Sequence, residues 1–498
     1  MAVRESLVRS AFVLNSDNLG RRVVSGAGFQ FLGIALRTLI TLVSMAALAR
    51  LLAPADFGYI AMATVVTEFA VLFSNFGLTS VLIQRRVINR LQLDTVFWAS
   101  ALLGAVLAGA VFLGSFFAGW LFADPLIPGL LRVLCLTFLF GGLTAAPSAV
   151  LARLLRFRTE FWIQIVSMAI RSLVAVACAL AGFGVWSLVA GALVGSVGSA
   201  ILSFIAVPYL PRLKFNLAYL ASTWKTSGSY LGGGLIYYVT MNVDLVLIGR
   251  YLGAAPLGYY QNARSLTDEI RARIAMPIQH VLFPAFSAVQ AETQRLQELV
   301  MRSSRMLAAI VFPIGFGVSA NAAELVLVLY GEQWRAMTPV MAMFGLSAAL
   351  RAATATSSPL FNSSNRVGLA LKYNLCGTVV MVAFVALALP YGVEGVAMAM
   401  AVSTLYSLVT FRVGLGLIGL GSRQMFEILG PPALASLAMW AAVELLHPFG
   451  ARWSAHPGWL LSVQVAAGVL VYLLALHLLS RRYLRDFTEL VAKLRDKG

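Results

Sequence analysis

The sequence predicts an all-α polytopic membrane protein of about fourteen transmembrane helices, built as two parallel-repeat six-helix lobes followed by two C-terminal helices. Three observations carry this expectation. Hydrophobic residues make up 60% of the 498 and charged residues only 11%, which leaves too little polar surface to wrap the chain as a soluble globule. Mostly apolar runs of about 20 residues, the length that a bilayer crossing needs, occur fourteen times. The stretch LARLLAPADFGYIAM at Leu48–Met62 returns two hundred residues later as IGRYLGAAPLGYYQN at Ile248–Asn262.

Taken in order, residues 1–25 mix charge with apolar side chains and lack the unbroken apolar core and small-residue cleavage site of a signal peptide, so they read as a retained cytoplasmic amphipathic arm. The first lobe, 26–208, has spans at about 26–50, 55–83, 94–121, 126–150, 161–181 and 184–208. A cytoplasmic linker, 209–226, leads to the second lobe, 227–418, with spans at about 227–252, 257–289, 304–328, 335–361, 368–389 and 393–418. Two more spans, 425–446 and 459–480, fill the segment 425–480. The tail, 481–498, alternates Arg, Asp, Glu and Lys around Phe487, Leu490, Val491 and Leu494, the pattern of an interfacial amphipathic helix on the cytoplasmic side. The longest outer segment, roughly 446–458, is too short for a soluble domain.

Lysine and arginine in short loops stay on the cytoplasmic side. With the N-terminus inside, inner segments carry 26 of the 37 cations, and outer segments carry five, Arg50, Arg132, Arg250, Arg335 and Arg452. Missing or inventing one span would destroy that alternation. The formal charge of +17 therefore follows topology and draws the chain to anionic inner-leaflet lipids. It is no argument for nucleic acid.

The repeat aligns Arg50 with Arg250, Gly58 with Gly258, Tyr59 with Tyr259 and Thr67 with Thr267, and sets Glu68 over the equivalent acid Asp268. Six crossings separate the copies, and an even number preserves direction, so the lobes are parallel repeats about an axis along the membrane normal. Within the turn, Pro54 stops one helix and opens the next, Asp56 suits a helix N-terminus, and Gly58 permits close approach.

A charge at mid-bilayer costs about 2.5–3.5 kcal/mol on insertion scales, so it faces a wet cavity or a partner. Arg37, Glu68, Arg171, Asp244 and Arg351 lie within spans, and the eighth span gathers Arg264, Asp268, Glu269, Arg271 and Arg273 in ten residues. Arg264, Asp268, Arg271 and Ala275 share one helical face, while Glu269 and Arg273 form an i,i+4 pair on another. A structural ion-pair network between lobes would accommodate these charges, as would a polar cavity that binds an anion. The density of the eighth span, with arginine rather than lysine in excess, favours the cavity and suits bidentate recognition of phosphate or carboxylate.

Other patterns carry no chemistry. GLGLIG at Gly414–Gly419 fits GxGxxG but follows no strand, so it reads as close-packing glycine. His280, His447, His456 and His477 lack metal-ligand spacing, and His280 reads as an ordinary packed histidine. Cys135, Cys178 and Cys376 lie far apart in apolar runs and read as small core hydrophobes. The glycosylation pattern at Asn362–Ser364 falls on the inner face. No catalytic, cofactor-binding or metal-binding residue is expected.

At GYIAMATVVTEFAVLFSNFGLTSVLIQRR, Gly58–Arg86, continuing through DTVFWASALLG from Asp94, the sequence resembles the Wzx-type lipopolysaccharide and exopolysaccharide flippases, in particular the WzxC-like branch of the MOP (multidrug, oligosaccharidyl-lipid, polysaccharide) superfamily. LLRFRTEFW at Leu154–Trp162, MNVDLVLIGRYLGAAPLGYYQNAR at Met241–Arg264 and GFGVWSLVAG extend the resemblance over nearly the whole chain. It implies a MOP/MATE-like fold and a transporter, not an enzyme. That transporter would move undecaprenyl-pyrophosphate-linked oligosaccharide from the cytoplasmic to the periplasmic leaflet of the bacterial inner membrane by alternating access, supplying polysaccharide polymerase machinery. On that basis Arg37, Arg264, Arg271 and Arg351 are candidates for pyrophosphate or sugar contact, and Glu68, Asp244, Asp268 and Glu269 for ion coupling or lobe pairing. A cation-coupled drug antiporter of the same superfamily would carry twelve spans and a carboxylate-dominated pocket. A membrane glycan polymerase or ligase would carry a substantial outer loop with acid, base or metal residues.

Overall fold

The computed structural model describes residues 19–74, 79, 82, 83, 85, 87–207, 209–453, 457–480 and 483; the side chains at 19–32, 218, 221–234, 236, 237, 270, 271, 447–453 and 457 are not described. Residues 1–18 of the arm, and the tail apart from Tyr483, lie outside it. By contact the chain divides into two units, Met1–Gly258 and Tyr259–Gly498.

The first unit runs α1 (Leu19–Leu51), α2 (Pro54–Ser74), α3 (Arg90–Phe122), α4 (Leu126–Leu134), α5 (Leu136–Arg153), α6 (Phe157–Leu180), α7 (Trp186–Ala206) and α8 (Leu217–Tyr251). Helix α9 (Ala254–Ala288) starts at the boundary and leads into the second unit, with α10 (Thr293–Ala320), α11 (Ala322–Leu329), α12 (Thr338–Ala353), α13 (Ser357–Ser363), α14 (Val367–Ala388), α15 (Gly392–Thr404), α16 (Tyr406–Gly416), α17 (Ser422–Trp453) and α18 (Pro457–Leu479). Among the described residues, 11 segments are long and apolar enough to cross a membrane, and one of them, Val367–Gly416, contains two of the expected crossings. Helices α8 and α9, 35 residues each, cover the seventh and eighth. This is an all-α, multi-pass membrane protein.

Sequence explains the breaks. Helix α1 ends at Leu51, and Asp56 Oδ2 accepts a hydrogen bond from Ala53 N at 2.9 Å as α2 begins. A Cβ added at Gly58 would lie 1.8 Å from the Ala254 carbonyl oxygen, and one added at Gly258 would lie 1.9 Å from that of Pro54. The two copies of the repeated turn therefore meet each other, glycine against backbone, which is why the chain says the same thing twice. Lipid offers helices no hydrophobic drive to associate, so such close backbone packing is a main source of cohesion.

The expected linker is extended only as far as Asn216, whose Oδ1 accepts from Tyr219 N at 3.0 Å to start α8. It is tied to the start of α3. Asp94, buried there, accepts from the Tyr209 hydroxyl and from Arg212 N at 3.2 Å, and Trp98 Nε1 donates to Arg212 O at 2.9 Å. Burial first, and the hydrogen bond to Asp94 second, push the Tyr209 phenol well above its ordinary pKa. Helix α8 then packs on α2 and α3, so the seventh expected span belongs by contact to the first unit.

Three smaller expectations are corrected. Helix α17 continues to Trp453, so the expected outer segment 446–458 is mostly helix. Cys135 is buried as expected, but Cys376 is exposed on α14 and Cys178 is half-buried. His280 is exposed, not packed. Cys376 lies on a helix whose apolar letters run all round, so position in the run did not reveal which face turns inward.

Candidate functional site

In the first unit a polar line crosses from α1 to α6. Arg37 Nε donates to Gly33 O at 3.2 Å, Arg37 Nη1 donates to Gln164 Oε1, and Gln164 Nε2 donates to Glu160 Oε1 at 3.4 Å. Glu160, Gln164, Ser167 and Arg171 recur at helical spacing and form one stripe along α6. Arg37 was expected at such a site. Glu160 and Gln164 were missed, although their i,i+4 spacing at the start of a span was a usable signal.

Glu160 also lines a cavity of about 600 Å³ walled by α2, α3, α5, α6 and α7. Its polar surface is mainly hydroxyl, from Thr67, Ser74, Ser100, Thr137 and Ser196. Thr67 donates to Thr64 O at 3.2 Å, Ser74 to Val71 O at 2.7 Å and Thr137 to Leu134 O at 2.6 Å. Each of these protons is held by its own helix, so the oxygens keep lone pairs for a donor in the cavity. The walls stand where they do because α3 and α5 cross at glycines. A Cβ on Gly104 would lie 2.5 Å from Phe138 O, and one on Gly142 would lie 2.4 Å from Ser100 O.

The second unit holds the ionic group. Asp268 on α9 receives Arg264 Nε at 3.5 Å on Oδ2 and Arg351 Nη2 of α12 at 3.1 Å on Oδ1. The side chains are 12%, 27% and 24% exposed for Arg264, Asp268 and Arg351, so the group is neither sealed nor fully solvated. Gln279 Nε2 donates to Ala355 O at 3.1 Å and holds α9 against the break between α12 and α13. On a neighbouring face Arg273 Nε donates to Glu269 Oε1 at 2.8 Å, the i,i+4 pair that the sequence predicts.

The expected site residues thus fall into three groups. Arg264, Asp268 and Arg351 come together; Arg37, Glu68 and Asp244 belong to the other unit; and Glu269 is taken by Arg273. Glu68 is exposed on α2, whereas Asp244 is buried on α8 at 1% exposure. The side chain of Arg271 lies outside the described residues. Among those residues no three His, Cys, Asp or Glu side chains converge as a metal site would require.

Residues 47–339 match the family described as polysaccharide biosynthesis protein. The chain is 28% identical over 319 residues to the succinoglycan biosynthesis transport protein ExoT of Rhizobium meliloti, spanning 64% of each chain. It is 26% identical over 367 residues to the lipopolysaccharide biosynthesis protein WzxC of Escherichia coli, covering 72% of this chain and 74% of that one. The teichuronic acid biosynthesis protein TuaB of Bacillus subtilis is 24% identical over 465 residues, or 92% and 96% of the two chains. Among solved structures, the lipid II flippase MurJ in an inward closed conformation superposes with a TM-score of 0.70 at 15% identity, covering 93% of this chain and all 100% of that one. An inward-facing multidrug resistance MATE family transporter of the MOP superfamily gives 0.58 at 14% identity, over 78% and 95%. At these identities the structural likeness is one of fold.

Proposed function

The chain belongs to the polysaccharide biosynthesis protein family, and from that premise we propose that it is a flippase for undecaprenyl-pyrophosphate-linked oligosaccharide. It acts by alternating access, from the cytoplasmic to the periplasmic leaflet of a bacterial inner membrane, and delivers its product to polysaccharide polymerase machinery. The observation that carries this reading is the hydroxyl-lined cavity of about 600 Å³ in a chain otherwise 60% hydrophobic. Its size is within the roughly 300–1,000 Å³ of ligand sites, and its acceptor oxygens match the O–H donors of sugar rings.

The physical task is to move polar groups through hydrocarbon without stripping them bare. A sugar hydroxyl transferred without a partner costs roughly 2–7 kcal/mol, and an oligosaccharide carries many. In this reading hydroxyls such as those of the first unit's cavity, with Glu160, replace water around a glycan, and Arg37, Arg264, Arg271 and Arg351 are the candidates for pyrophosphate or acidic-sugar contact. No bond changes. Two guanidinium groups already share one carboxylate at Asp268, and an arriving pyrophosphate competes for them with better bidentate geometry and more charge. Protonation of Asp268 would release both arginines and is a route for ion coupling. A membrane potential adds about 2.3 kcal/mol per charge per 100 mV.

Reconstitution tests this. Vesicles containing the protein and a fluorescent polyprenyl-pyrophosphate oligosaccharide should show the label reaching the opposite leaflet, measured by quenching from outside. A leaflet distribution identical to that of empty vesicles would overturn the proposal, and a change in glycan length would point to an enzyme.

A further inference from the structure

The segment between α7 and α8 is pinned by its backbone yet turns its side chains outward. Arg212 N donates to Asp94 Oδ1 at 3.2 Å, Arg212 O accepts from Trp98 Nε1 at 2.9 Å, and Asn216 N donates to Thr95 Oγ1 at 3.1 Å. Leu210 O accepts from Arg90 Nη2 at 3.4 Å. Lys214 N turns back to Arg212 O at 2.7 Å, a three-residue turn with Leu213 at its tip.

Leu210, Leu213, Phe215 and Leu217 are 75%, 88%, 43% and 72% exposed. Single exposed leucines are ordinary, but a run of large apolar side chains on a fixed backbone marks a contact surface. Arg212 and Lys214 stand between them, both exposed, and neither side chain forms an ion pair among the described residues. The nearby carboxylate of Asp94 is buried and occupied by the Tyr209 hydroxyl and Arg212 N.

The anchoring residues set the depth of this surface. Helix α3 has 33 residues, about 50 Å of helix against a hydrocarbon core of about 30 Å. Its first turns therefore stand at headgroup level, and Asp94, Thr95 and Trp98 all fall within about 12 Å of its start. Tryptophan favours that boundary.

We infer that residues 210–217 form a binding site for anionic phospholipid, with phosphatidylglycerol as the probe. Leu213, Phe215 and Leu217 enter the upper acyl region, and Arg212 and Lys214 take the headgroup phosphate. Apolar side chains interleaved with cations are the pattern of interfacial anchors, and the long stems of arginine and lysine bridge apolar depth to phosphate. A soluble protein partner would need these side chains beyond the headgroups, whereas the bonds to α3 hold them at headgroup level. Because the backbone is fixed beforehand, little ordering is lost on binding. The general attraction of a +17 chain for anionic lipid thus acquires a local site, which does not depend on what the protein transports.

The test uses the full-length Leu213→Trp variant in nanodiscs of equal parts phosphatidylglycerol and phosphatidylcholine, with bromine on the acyl chains of one lipid or of the other. Composition and charge stay constant, and only the quencher moves. The fluorescence that the substitution adds over the unaltered protein should be quenched several-fold more by brominated phosphatidylglycerol. Adding Arg212→Gln and Lys214→Gln should make the two lipids quench alike, because the apolar contacts remain and the phosphate partners are gone. Added fluorescence that neither lipid quenches would place the segment in water, open to a soluble partner, and overturn the inference. Equal quenching with both cations present, or a preference that survives their loss, would overturn it too. Should the triple variant fail to fold, salt decides with Leu213→Trp alone. At about 1 M, where the Debye length is about 3 Å, the preference should vanish, and a preference indifferent to salt would contradict the proposal.

Discussion

The two copies of the proline–glycine turn are built alike, whereas the helices that they open are not. At Gly58 and Gly258 each copy presses its missing side chain against the backbone of the other, at 1.8 and 1.9 Å for an added Cβ. Beyond the turn, α2 is apolar enough to count as a span by itself, with Glu68 its acid in mid-run. Helix α9 packs Arg264, Asp268, Glu269, Arg271 and Arg273 into the equivalent stretch and meets Arg351 of α12 at 3.1 Å. The two copies share the element that needs shape and differ in the element that carries charge. Thr67 and Thr267 make the same point, since both hydroxyls still donate to their own helix, at 3.2 and 2.9 Å, while the neighbouring acids have parted company.

The largest effect is expected where the copies are most alike. Gly58→Ala and Gly258→Ala each force backbone apart, and overpacking of this kind costs roughly 1–3 kcal/mol or more. Both should lower membrane abundance and thermal midpoint by similar amounts, and the double variant should cost less than the sum because one displacement relieves both clashes. Unequal single effects would break the symmetry of the comparison. Next come the diverged acids. Asp268→Asn should reduce glycan export at least tenfold with abundance near normal, whereas Glu68→Gln should leave export within twofold. A like loss in both would restore the symmetry that α2 and α9 lack in sequence.

Arg351→Lys sharpens the same point on a smaller scale. It keeps the charge that meets Asp268 but loses the planar fork, so flipping should fall several-fold while the midpoint holds. Smallest is Arg273→Ala. Its partner Glu269 is 48% exposed, and such i,i+4 pairs contribute about 0.3–0.5 kcal/mol, so neither export nor abundance should change measurably.

The spans were legible because a bilayer demands long apolar runs and because lysine and arginine sort across it. The turn was legible because proline and glycine act through local backbone geometry, which sequence records directly. The pairing of Arg351 with Asp268 was not legible. The two are far apart in the chain, and which turn of α12 faces α9 depends on helix phases set by packing, as at Gly315 and Gly345, where an added Cβ would lie 2.5 and 2.7 Å from the opposite carbonyl. The hydroxyl cavity was hidden for another reason. Serine and threonine are common within membrane helices, where they bond to their own backbone, and nothing in their spacing tells four helices to turn them towards one space. Asp94 escaped notice because it stands at the first residue of an expected span, where an acid looks like a boundary marker, and its partner Tyr209 lies beyond four intervening helices.

The account turns on Arg264 and Arg351 as the arginines that receive an anion. The most direct measurement is equilibrium binding of a short-chain polyprenyl pyrophosphate to the purified protein in nanodiscs, compared with Arg264→Ala, Arg351→Ala and Arg273→Ala at matched thermal midpoints. Affinity should fall at least tenfold, about 1.4 kcal/mol, in the first two and hold within twofold in the third. Equal affinity in all four proteins would contradict it and leave the Asp268 group as a structural tie.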